Sequence, residues 1–211
     1  MRKLDGSRRV GWMDASRGLI IGIIAIYHTA QILPHTTTGY YSVTQTIYYW
    51  ISIGMSLFFL IAGMNSRKYL HGTWKLAWRR RIGPLFWLLT IWVPIYWLAY
   101  DVVLRRSNIS VSSPLLDLLH GFIVPTWELW FLWSLSFYCL ISKLLASYSS
   151  RILVAGLGAI SFLGICTSDY HLRMLGFTWI ADSYTWRSFV SYYFFFYCGH
   201  RYTSQILKLT V

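Results

Sequence analysis

Polar residues interrupt this chain at wide intervals, and apolar stretches of about the length a bilayer requires run between them. A hydrocarbon core takes roughly 20 residues of α-helix. Six stretches meet that length: 16–34, 45–64, 82–100, 127–146, 152–168 and 186–206. The pattern predicts an all-α fold, a polytopic transmembrane helix bundle of about six spans. It reads as one domain over 1–211, with neither an internal repeat nor a soluble domain. Lipid supplies no hydrophobic drive between helices, so close backbone contact at small residues must do it. Gly18, Gly22, Ala25 and Thr29 form such a stripe on the first helix and predict a close neighbour there. Ser52, Ser56, Phe59 and Gly63 repeat the idea on the second, and Gly156 and Gly158 read as packing residues in the fifth. Pro94 predicts a kink in the third.

The least regular stretch is 107–126. Its Ser-rich start reads as a loop. Its second half carries Leu115, Leu118, Leu119 and Phe122 at helical spacing, with Asp117 and His120 off that face, and predicts a short interfacial helix. Asn108, Ile109 and Ser110 match the glycosylation triplet, a pattern common by chance.

Composition agrees with the pattern. Of 211 residues, 56% are hydrophobic and 12% charged, which fits an integral membrane protein better than a soluble domain. The net charge of +12 would suggest nucleic acid in a soluble chain, but its distribution argues otherwise. The basic residues gather in short clusters between apolar runs: 1–17, 65–81, 143–151 and 201–211 hold 15, and the opposite connections hold only Arg105, Arg106, Arg173 and Arg187. Cytoplasmic loops carry such an excess, so both termini are predicted cytoplasmic, and no nucleic-acid partner is expected. Trp12, Trp78, Trp127, Tyr184 and Trp186 lie near span ends, as interfacial belts do. Cys139, Cys166 and Cys198 read as small buried hydrophobes, with neither disulfide nor metal spacing.

Two ionisable residues then stand out. Arg17 opens the first span and His28 lies well inside it. At about 100° per residue, the step between them is about 1100°, within roughly 20° of three full turns, so they share a face about 16 Å apart along the axis. Asp14, three residues before Arg17, is placed to pair with it. An ionisable side chain within a span is costly and is a functional-site hypothesis by default. The bland reading is a His bonded to a neighbouring helix, with Asp14 and Arg17 anchoring the helix end. A neutral imidazole within a span is suited to act as a general base toward a hydroxyl. The cluster Lys75, Arg79, Arg80 and Arg81 suits a phosphorylated donor, although plain cytoplasmic anchoring explains it as well. Glu128 opens the fourth span as a further carboxylate candidate. No Gly-rich phosphate loop, metal motif or nucleophile elbow is present.

These segments resemble the membrane acyltransferase 3 family. Trp12 to Thr29 resembles its first helix, with Arg, ten residues and then His. Gly54 to Met64 resembles its FF-x-x-SG segment, with Ala62 in place of Ser; Arg79 to Leu85 resembles its basic stretch before a Pro. Glu128 to Leu135 resembles its HLWFL segment, and Phe189 to His200 a later aromatic helix ending in Gly. The resemblance implies O-acylation of an envelope carbohydrate or related lipid-linked acceptor at a bacterial inner membrane. Acyl-CoA, commonly acetyl-CoA, would be a co-substrate, with no bound cofactor and no metal. It implies His28 as the catalytic residue and Asp14, Arg17, Lys75, Arg79, Glu128 and Trp130 in donor or acceptor binding. Glu128 stands where the family often has His, and its Arg-x-x-Arg is not literally present. Members are usually longer, so the chain corresponds to the N-terminal part of the family's length. A second reading is therefore open: a non-catalytic relative serving as a membrane subunit or transporter-like scaffold. Self-association is also left open.

Overall fold

The computed structural model describes residues 11–32, 40–99, 114–125, 129–148, 151–166, 173–178 and 183–209, with backbone alone at 30–32, 40–49, 114, 115, 117 and 209. The sequon at 108–110, the arginines at 105 and 106, and Glu128 lie outside the described residues. The described residues are mostly helical, with short turns between helices and no strand among them. The helices are α1 (Gly11–Ile32), α2 (Tyr40–Leu70), α3 (Trp74–Ala77), α4 (Gly83–Tyr96), α5 (Pro114–Ile123), α6 (Leu129–Leu144), α7 (Arg151–Cys166) and α8 (Tyr184–Leu209). A wider π-turn, Trp78–Ile82, joins α3 to α4 without a break. Two stretches are long and apolar enough to cross a bilayer by length and composition, Trp74–Ala99 and Leu129–Ser147.

Contacts fix the helix directions. Ile20 meets Gly54 while Met13 clusters with Ile61 and Met64, so α1 and α2 are antiparallel. Phe86 packs on Phe137, and Val93 clusters with Leu129 and Trp133, so α4 opposes α6. Gly158 faces Phe194 and Gly164 faces Ser191, so α7 opposes α8. Conversely, α6 runs alongside α8: Trp130 touches Tyr184, Ser142 bonds Tyr193, and the Tyr197 hydroxyl donates to the carbonyl of Tyr148. Phe59 and Gly63 of α2 meet Tyr192 and Phe196 of α8, so those two are parallel, and among the described residues α1, α2, α4, α6, α7 and α8 alternate in direction.

The tightest seam joins α2 to α8. A Cβ on Gly63 would collide with the carbonyl oxygen of Phe196, and one on Gly199 with that of Leu60. Only glycine permits backbones to meet this closely. Around the seam, Phe59 stacks on Tyr192 at 5.6 Å and meets Tyr138 edge-on at 5.0 Å. Two buried hydroxyls here are satisfied by backbone: Tyr138 Oη donates to Phe189 O at 2.6 Å, and Ser161 Oγ donates to Ser191 O. The predicted interfacial helix is α5, whose Leu118 and Phe122 pack on the α4–α6 cluster while Leu116 and Leu119 are exposed. Trp133 Nε1 donates to Phe122 O at 3.0 Å and ties it down.

Two expectations change. On α1 the small-residue stripe does not form the seam: a methyl group on Gly18 or Gly22 would meet nothing within 4 Å, and Met13, Ile20 and Ile24 pack instead. At 100° per residue the stripe lies roughly 150° from that packed row. Pro94 sits inside α4, and three π-wound residues follow at 97–99. Cys139 is buried, but Cys166 is exposed on α7.

Lys143 closes the far end of α2. Its Nζ donates to the carbonyls of Leu70 at 2.9 Å and Gly72, and lies 5.5 Å from the Trp74 ring centroid. The carbonyls at a helix C-terminus have no intrahelical partner, and a cation there satisfies them.

Replacing Gly199 by Val should force α2 and α8 apart and cost about 1–3 kcal/mol or more. Gly22→Ala, on the open face of α1, should leave stability unchanged or slightly raised. Lys143→Met should cost about 1–3 kcal/mol through the stranded carbonyls. Thermal midpoints in one detergent check all three, and equal damage from both glycine variants would sink the α2–α8 assignment.

Candidate functional site

The α1 row builds the site predicted from sequence. Taking the packed row of Met13, Ile20 and Ile24 as origin, Arg17 and His28 fall about 50° to one side at 100° per residue. They therefore flank the α1–α2 seam rather than pointing away from it. The Arg17 side chain is 32% exposed and pairs with Asp14, Nη1 to Oδ1 at 3.4 Å. Such an i, i+3 surface pair contributes a few tenths of a kcal/mol at about this exposure, so it orients Arg17 more than it stabilises the fold. His28 is half-buried, its ring edge-on to Tyr27 at 5.5 Å.

Because α1 opposes α2, Arg17 lies toward the end where α2 finishes and the basic connection begins. Thr73 opens that connection by accepting from Leu76 N at 3.3 Å, which caps α3. Lys75, on α3, and Arg79, on the π-turn, are both exposed. The π-turn widens the winding by closing Gly83 N onto Trp78 O. It separates the three arginines: Arg79 and Arg80 face out, while Arg81 folds back, its Nη2 donating to Asn65 O at 3.1 Å and its guanidinium lying over Tyr69 at 5.5 Å. His28 lies about 16 Å along α1 toward the opposite end, given its eleven-residue separation from Arg17.

Trp130 stands at the start of α6, 8% exposed, with its ring against Tyr184 at 5.4 Å and Tyr192 at 6.1 Å. It is a wall of the aromatic core, beside the helix end that Glu128 precedes. His120 is exposed on α5.

Sequence reading passed over a second cluster. Arg67 near the end of α2, His71 just after it, Lys143 of α6, and His200 and Arg201 of α8 converge toward one end of these three parallel helices. The His71 and His200 rings lie 5.5 Å apart. The His71 backbone N donates to Arg67 O at 3.0 Å, which continues the winding of α2 to this residue. Partial burial, then Arg67, Arg201 and Lys143, hold the His71 imidazole below its usual value. The two histidines are far apart in sequence, and His200 gives a signal only through the adjoining Gly199.

Residues 10–203 match the family model described as an acyltransferase domain. The inner membrane protein YcfT of Escherichia coli (strain K12) is 26% identical over 153 residues, covering 63% of this chain and 43% of that protein. The chain thus spans less than half the length of that relative. No solved structure matches it.

The lowered His71 value sets a pH dependence. The unfolded chain takes up a proton on this residue near pH 6.5, while the folded chain resists it until lower pH. Stability contributed here is full above the unfolded value and falls as pH drops through the window between the two. His71→Gln should flatten that acid limb of a plot of thermal midpoint against pH, and an unchanged limb would remove His71 as its source.

Proposed function

This chain belongs to the acyltransferase 3 family, and on that premise we propose that it transfers an acyl group, acetyl in the first instance, from acyl-CoA to a hydroxyl of an envelope carbohydrate or lipid-linked acceptor. The observation that carries the reading is the Arg17–His28 row, which lines the edge of the α1–α2 seam with a cation at one end and an imidazole deep along the helix. His28 takes the proton of the acceptor hydroxyl as the oxygen attacks the thioester carbonyl. The C–S bond then breaks, the acyl group stays on the acceptor oxygen, and the thiolate leaves and takes up a proton to become free CoA.

The separation along α1 suits such a donor. Arg17, oriented by Asp14, holds phosphates near the cytoplasmic end together with Lys75 and Arg79, and the pantetheine arm carries the thioester toward His28. Guanidinium groups match phosphate geometry through paired N–H donors, whereas Lys75 serves as a mobile point charge. Trp130, at the other end of the bundle, and Glu128, which precedes α6 in the sequence, take the acceptor side. In this reading the chain crosses a bacterial inner membrane six times with both termini cytoplasmic. The alternating helix directions and the distribution of basic residues support that topology.

Membranes containing the protein at matched levels, supplied with labelled acetyl-CoA, test the reading through label in lipid and glycan extracts. His28→Ala should lower incorporation by about 10²-fold or more, the usual scale of a lost general base. Arg17→Ala should act mainly by raising the acetyl-CoA concentration needed. Equal label with wild type and His28→Ala would remove His28 from the chemistry. Label absent from both would leave the non-catalytic subunit as the surviving reading.

A further inference from the structure

The cluster at the ends of α2, α6 and α8 combines strong positive charge with a buried side chain whose polar atoms are unmet. His200 is 1% exposed, and neither Nδ1 nor Nε2 has a hydrogen-bond partner among the described residues. Burying a polar group without a partner costs free energy, and native proteins rarely tolerate it without a use. Phe196 and Tyr197 cover its ring at 6.3 and 5.0 Å, and the polar neighbour on its remaining side is His71. Arg67 and Arg201 act electrostatically on both rings, and Lys143 acts on His71.

No carboxylate among the described residues serves this cluster. The chain's seven acidic side chains are Asp5, Asp14, Asp101, Asp117, Glu128, Asp169 and Asp182, so 15–100, 129–168 and 183–211 contain none. Asp14 is engaged by Arg17. Two other cations at this end meet backbone and rings: Lys143 meets two carbonyls and Trp74, and Arg81 meets Asn65 O and Tyr69. For Arg67, His71 and His200 the described residues offer no counter-charge.

We infer that Arg67, His71 and His200, in the field of Arg201 and Lys143, form a binding site for a phosphate group at the junction of α2 and α8. A tetrahedral oxyanion offers acceptors in several directions at once. One oxygen takes an N–H from each imidazole across the gap between the rings, and another takes the Arg67 fork. The donors come from two helices, so a bound phosphate adds a second tie beside the Gly63–Gly199 seam. The phosphate arrives either on a soluble ester or on an anionic lipid headgroup. This site is separate from Arg17, Lys75 and Arg79, and its occupancy is read without turnover, so it stands or falls independently of acyl transfer.

Two probes separate the sources. Inorganic pyrophosphate is titrated calorimetrically, at fixed ionic strength, into the full chain in phosphatidylcholine nanodiscs. In parallel, native mass spectrometry counts phosphatidylglycerol retained by protein taken from mixed vesicles of phosphatidylcholine and phosphatidylglycerol. Arg67→Gln and His71→Gln, both at the accessible rim, should weaken pyrophosphate binding roughly tenfold or more each, the scale of one charge-assisted hydrogen bond. Lys208→Gln removes the same charge from an exposed site and should leave binding unaltered. That result assigns the site to a soluble phosphate. Phosphatidylglycerol held by wild type and lost from Arg67→Gln, with no pyrophosphate binding, assigns it to a lipid headgroup. His200→Asn retains donor capacity in a smaller side chain and should weaken whichever probe binds. The inference is overturned if neither probe binds wild type, or if Arg67→Gln and His71→Gln weaken binding no more than Lys208→Gln.

Discussion

Backbone meets backbone where Gly63 on α2 lies against Gly199 on α8, and much of the bundle takes its position from that contact. Between apolar helices in lipid, attraction comes from dispersion and close Cα–H to carbonyl contacts, both of which fall away steeply with distance. Two missing side chains bring the helix axes near enough for those terms to act. The same closeness sets the ring stack of Phe59 on Tyr192, and it holds Tyr138 of α6 where it touches both Phe59 and Tyr193. It also draws His200 to the end of α2, beside His71. One glycine pair thus sets the core packing and the position of a charged cluster at its edge.

A shortage of acid governs how the charges are arranged. With 19 Lys and Arg against 7 Asp and Glu, cations outnumber every carboxylate partner available. The fold meets this with acceptors that carry no full charge. Lys143 binds the exposed carbonyls ending α2, and Arg81 is turned onto α2 by the π-turn, while Arg79 and Arg80 remain outward. Carbonyl oxygens and ring faces stabilise a cation only in part. The His71–His200 pair, where the His200 ring nitrogens have no hydrogen-bond partner among the described residues, is where an external anion would gain most.

On α1 an ionisable row and a packing row divide one cylinder. Met13, Ile20 and Ile24 pack toward α2, and the Arg17–His28 row runs just beside them. His28 is half-buried there, with its ring edge-on to Tyr27. The glycine stripe on the opposite side is left facing outward.

The sequence by itself determined the helices, their alternation and the alignment of Arg17 with His28. Covalent geometry and the solvent fix those features: a bilayer sets the length of an apolar run, and 3.6 residues per turn set the angle between two side chains. Family membership was equally legible, because the motifs of α1, α2 and α6 lie in continuous segments. Which face of each helix is buried was decided only in the tertiary structure. Helices that are apolar all round carry no amphipathic record of their partners, and the choice falls to shape: Ile20 against Gly54, Gly63 against Gly199. The small-residue stripe of α1 was a true periodicity without a partner for Gly18 or Gly22 among the described residues. Arg67, His71, Lys143, His200 and Arg201 come from three helices, and no local pattern joins them. Only the parallel packing of α2, α6 and α8 brings their ends, and therefore their charges, to one place.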